Sequence, residues 1–226
     1  VLATTPWQSS ADNVNWITAT LAPGTNASSV DILSGHNIVI NTTGIVITKT
    51  QVFGTLEAIG SDFSVNGIAD EIELTIKNGG SFITNGDGYA SDGNAYGLVE
   101  TGGKLISLTG SGSSFAQNYL ESTAGLFYFV ENSICEWQNS GSTLGSGYSS
   151  YFNTSYGIGG MPIFRIVNSP ANPFGGSTDN VFNAKLEANA NFSIRNAGTK
   201  TFIGGVIGTA RVSQQATSGN LILGNG

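Results

Sequence analysis

Gly54-Thr55-Leu56-Glu57-Ala58-Ile59, Gly80-Ser81-Phe82-Ile83-Thr84-Asn85 and Gly103-Lys104-Leu105-Ile106-Ser107-Leu108 are three versions of one unit. Each is a glycine followed by a short strand with apolar residues at alternate positions. Leu56 to Phe82 is 26 residues and Phe82 to Leu105 is 23. Looser versions centre on Ile134, Phe164 and Leu186, spaced 29, 30 and 22. A period in the twenties that stretches with insertions predicts rungs of a β-solenoid. Each rung buries its apolar face only by stacking on its neighbours. The expected fold is therefore all-β, a right-handed parallel β-helix with irregular loop insertions. A β-sandwich is the alternative, because short strands with turn signals every few residues also fit that template.

Working outward from these units, the same alternation appears in Ile38-Val39-Ile40, Ile45-Val46-Ile47, Ile72-Glu73-Leu74-Thr75-Ile76 and Phe192-Ser193-Ile194. Corners such as Asn78-Gly79-Gly80 and Thr101-Gly102-Gly103 separate the strands and can supply the positive φ that tight turns need. Of 226 residues, 32 are Gly, 26 Ser, 22 Thr and 22 Asn, about 45% of the chain, and only 10% are charged. That composition disfavours helices. A hydrophobic fraction of 39% is too high for a disordered chain. The first 25 residues, with Trp7, Trp16 and Pro23, differ in composition from the rest of the chain and are expected to cap a solenoid spanning 26–226. The last residues, Ser218 to Gly226, read as a rung in progress, so the solenoid is expected to continue beyond the given chain.

Eight Lys and Arg against fifteen Asp and Glu give a net charge of −7. This offers no basic footprint for nucleic acid. The longest apolar run, Leu126 to Val130, is five residues, far short of the ~20 that a membrane helix needs. Cys135 stands alone, so no intramolecular disulfide is available, and it reads as a small buried hydrophobe on a strand. The only histidine, His36, reads as a turn residue.

Trp7, Trp16 and Pro23, then Val30-Asp31-Ile32-Leu33-Ser34-Gly35-His36-Asn37-Ile38-Val39-Ile40 and Val52-Phe53-Gly54-Thr55-Leu56, together resemble the opening of large secreted β-helix proteins and adhesins of the Bacteroidetes. The resemblance covers about residues 7–110. It implies export, commonly by the type IX route, an extracellular or cell-surface location, and a role in adhesion or gliding motility. Further solenoid repeats of the same parent chain, or the export machinery, are the partners that it implies.

Three groups of residues are candidates for chemistry. Asp87 and Asp92, in the Gly-rich loop Asn85 to Asn94, offer oxygen ligands that suit calcium, the one cofactor that the sequence suggests. Tyr148, Tyr151, Phe152 and Tyr156, after Trp137, form an aromatic, Ser- and Asn-rich stretch suited to stacking on glycans or another surface ligand. Glu71 and Glu73 share a strand face, and alternation places both towards solvent. Paired carboxylates are what a carbohydrate-active β-helix enzyme, a polysaccharide lyase or glycosidase, would require. Arg165, Arg195 and Arg211 are scattered, and charge is scarce. The chain therefore reads as a non-catalytic adhesin or structural solenoid, with such an enzyme as the alternative and no catalytic residue to name.

Overall fold

A computed structural model describes residues 8–9, 12, 14–15, 17–18, 27–41, 45–60, 63–65, 71–86, 90–91, 95–109, 115–120, 127–139, 143–144, 149–152, 160–167, 173–174, 179–189, 191–194, 198–209, 212–214 and 219–224. Strands dominate these residues, with one short helical turn at Ala116–Leu120. Apart from an antiparallel pair, Gln8–Ser9 with Ile17–Thr18, every strand pairing among the described residues is parallel. The protein is thus all-β with parallel sheets, and the antiparallel pairing of a sandwich is not what its main sheets use.

The longest sheet has eight strands in chain order: Asn37–Ile40, Thr55–Ile59, Ser81–Asn85, Lys104–Thr109, Ile134–Trp137, Ile163–Ile166, Lys185–Ala188 and Val206–Gly208. A second sheet holds Val30–Ile32, Thr50–Val52, Ile72–Ile76, Tyr96–Val99 and Phe127–Phe129, and a third holds Ile45–Ile47, Phe63–Val65 and Ala90–Ser91. The chain visits these three sheets in fixed rotation, second, long, third, through three successive passes from Val30 to Ser91. Beyond Ser150 a four-stranded sheet, ending in Gly198–Phe202 and Gly219–Leu223, alternates with the long sheet.

Glycine opens the repeated unit because backbone from the preceding pass occupies the space a side chain would need. A Cβ on Gly80 would fall on the carbonyl oxygen of Val52, and one on Gly103 on that of Ile76. The neighbouring backbone is tied down as well. Ser81 N–H donates to Gly54 O at 2.8 Å and Lys104 N–H to Gly80 O at 3.0 Å.

Register turns the repeat into a core. Leu56, Phe82, Leu105, Cys135, Phe164 and Leu186 are successive partners across the long sheet, all 2% exposed or less. Cys135 is therefore a member of the buried core column. This corrects the alignment that centres the fourth unit on Ile134, since Ile134 pairs instead with Lys104 and Ile163. A slip of one residue exchanges the two faces of a strand. The second sheet supplies an opposing column, Ile32, Val52, Ile76, Val99 and Phe129, also buried. Rings join the two sides: Phe82 stacks on Phe127 with centroids 6.0 Å apart and planes at 9°. Phe182 stacks on Phe202 at 4.4 Å and on Tyr151 at 4.6 Å.

Candidate functional site

The aromatic residues expected to meet a ligand divide into two groups. Trp137, Tyr151 and Phe152 are buried, which corrects the reading that gives them a recognition role. Trp137 faces inward between Ser107 and Ile166 and leans on Phe115. Phe152 meets Phe129 edge-on at 5.1 Å. Burial of apolar area outweighs display here, because rings of this size contribute most when removed from water. Tyr148 and Tyr156 lie outside the described residues, as do Asp87 and Asp92 of the calcium reading. Among the described residues no group of three His, Cys, Asp or Glu could hold a metal ion.

The carboxylate pair also separates. Glu71 is exposed, but Glu73 is buried and accepts the Lys49 N–H at 2.8 Å. Pairing between Ile72–Ile76 and Tyr96–Val99 shifts at this point, Ile72 opposing Tyr96 and Leu74 opposing Gly97. Glu73 is the residue skipped at this shift and it is buried, so the expectation that both glutamates face solvent is overturned. His36 is exposed in its turn, with its N–H bonded to Leu33 O at 3.0 Å and its carbonyl accepting from Thr55 N–H at 2.8 Å.

The charged groups that the fold does gather lie on the outer face of the long sheet. Glu136, Arg165 and Glu187 are partners in register on three consecutive strands. Arg165 Nη1 donates to Glu136 Oε2 at 3.2 Å and Nη2 to Glu187 Oε2 at 3.0 Å. Side amides complete the row, with Gln138 Nε2 donating to Glu136 Oε1 and Asn189 Nδ2 donating to Glu187 Oε1 at 2.7 Å. The same outward column continues through Glu57, where Asn85 Nδ2 donates to Glu57 Oε1 at 3.2 Å and Thr109 donates to Asn85 Oδ1 at 2.8 Å.

Electrostatics binds this row together more than it prepares it for reaction. Burial works against the Arg165 cation, but hydrogen bonds and charge from Glu187 and Glu136 outweigh it and raise its pKa above the ordinary value. The three side chains are 10–21% exposed. Glycoside hydrolysis needs two carboxyls in unlike surroundings, one of them holding a proton. Glu136 and Glu187 stand in like surroundings, on the two arms of one guanidinium. Elsewhere Lys185 Nζ reaches Glu131 at 2.8 Å. The Lys185 hydrogen bond, followed by the Met161 N–H, lowers the Glu131 pKa.

Sequence reading alone passes over this row because Glu136, Arg165 and Glu187 are far apart along the chain. A signal is nevertheless present: each follows a core residue of the repeated unit, Cys135, Phe164 and Leu186. Alignment on Cys135 places all three in one outward column. No protein-family model matches the chain, and neither a curated protein nor a solved structure matches it.

Proposed function

We propose that residues 26–226 belong to a right-handed parallel β-helix that acts as a non-catalytic adhesin or structural stalk at the surface of a cell. Two observations support the solenoid, the fixed rotation through three sheets and the in-register core columns, and the right hand follows the general rule for parallel crossovers. The cell-surface role and the export route rest on the resemblance of residues 7–110 to secreted Bacteroidetes β-helix proteins.

The single observation that carries the non-catalytic reading is the Glu136–Arg165–Glu187 row, in which one guanidinium engages both carboxylates and leaves a net charge of −1. A glycan or a solid surface is the ligand class proposed, with Tyr148 and Tyr156, which lie outside the described residues, as the aromatic residues proposed to meet it.

A glycan array probed with the purified chain, with and without calcium, tests this reading, with reducing-sugar release followed on every polysaccharide bound. Binding without turnover is the expected result. Release of sugar, abolished by Glu136→Gln or Glu187→Gln, would replace the adhesin with a carbohydrate-active enzyme.

A further inference from the structure

Lys200 is a lysine inside a protein that has few charges to place. It lies on the inward face of Gly198–Phe202 and is 0% exposed, and its partner in register on the preceding strand, Asn180, is 3% exposed. Lys200 Nζ donates to Asn180 Oδ1 at 2.5 Å. Since a C=O bond is about 1.2 Å long, the amine nitrogen is no more than about 3.7 Å from the amide carbon. That is close to the ~3–3.5 Å from which reacting atoms combine without further approach.

Burial makes the charged form of this amine less favourable than it is in water. Two residues further along the same two strands, Phe182 and Phe202 stack at 4.4 Å and are fully buried. Burial lowers the Lys200 pKa, while the charge of Asp179 opposes the shift. The deprotonated amine is the form that attacks as a nucleophile, and the lowered pKa makes that form easier to reach than in a solvated lysine. Asp179 precedes Asn180 in the chain, and its Oδ1 accepts the Thr199 N–H at 2.6 Å, tying the two strands together beside the pair.

We propose that Lys200 and Asn180 form an intramolecular amide cross-link between neighbouring strands. The Nζ lone pair attacks Cγ of Asn180, a Cγ–Nζ bond forms, and the Cγ–Nδ2 bond breaks. Nδ2 leaves as ammonia, taking up one proton that Nζ gives up. The step consumes no oxidant, metal or co-substrate. It would lock two strands of the parallel stack covalently, and it does not depend on the adhesin reading.

Intact mass of the full chain decides the matter. The cross-linked protein is expected to weigh about 17 Da less than its sequence, the mass of one ammonia. Digestion is expected to yield one branched peptide containing both residues. Asn180→Ala and Lys200→Met should each restore the full sequence mass. A wild-type chain at its sequence mass overturns the proposal whether or not the variants fold. So does a loss of ~17 Da that persists in Asn180→Ala, because that loss would come from another asparagine.

Discussion

The ring of Phe127 occupies the space beside Gly97 that a side chain would need. The two residues are partners in register on adjacent strands of the second sheet, and a Cβ on Gly97 would stand 2.5 Å from Phe127 Cε1. A glycine on this inward column therefore makes room for a ring that reaches across the core to stack on Phe82.

Gly97→Ala is expected to destabilise the protein by ~1–3 kcal/mol through overpacking. A lower urea midpoint measures the effect, and Phe127→Leu in the same chain should recover most of it. An unchanged midpoint for Gly97→Ala would mean that the ring has room to move.

Arg165→Met leaves Glu136 and Glu187 without their shared cation on a largely covered face. The expected loss is ~1–3 kcal/mol, since removing one partner of a partly buried pair costs more than the pair itself contributes. Adding Glu136→Gln and Glu187→Gln to Arg165→Met should restore stability. A cycle in which the three changes simply add would show that the row is not coupled.

Trp137→Ala, a deletion from the buried inward column, should cost ~3–5 kcal/mol, seen as a drop in Tm. It should leave ligand affinity of the folded fraction unchanged. Loss of affinity with an unchanged Tm would return Trp137 to the surface.

Cys135 supplies a pH signature. Burial, followed by the charge of Glu136, holds its thiol well above the ordinary value of 9.0. The folded state therefore keeps the proton after the unfolded chain has released it. This contribution is fully present below pH 9.0 and is lost as pH rises towards the folded value. Chemical denaturation at about pH 8 and about pH 10 should show a fall in stability that Cys135→Ala diminishes. The native thiol should also resist iodoacetamide until the protein unfolds; rapid labelling of the folded chain would contradict its burial.

Period-two alternation and glycine-led units make the strands and most of the core readable from sequence. Leu56, Phe82, Leu105, Phe164 and Leu186 fall where the spacing puts them. The misreadings share one cause, that the face of a residue depends on register. Ile134 and Cys135 are both apolar, so composition does not choose between them, and only pairing with Leu105 and Phe164 does. Glu73 breaks alternation at a pairing irregularity that nothing in Ile72-Glu73-Leu74 announces. Tyr151 and Phe152 look like display residues because their neighbours are small and polar, yet the fold sets Phe182 and Phe129 against them. The same one-residue misalignment hides the Glu136–Arg165–Glu187 row.

Distances between spin labels test the stacked, in-register arrangement most directly. Thr55, Ser81, Lys104, Ile134, Ile163 and Lys185 follow one another as partners across the long sheet, so each step should add ~4.8 Å. With one label at Thr55→Cys, a second label at Ile163→Cys should lie about 19 Å away along the stack, and one at Lys185→Cys about 24 Å away, before allowance for the label arms. A separation that grows by one strand spacing from Ile163 to Lys185 is the predicted result. Separations that stay level or shrink would contradict the parallel stack on which the proposed function rests.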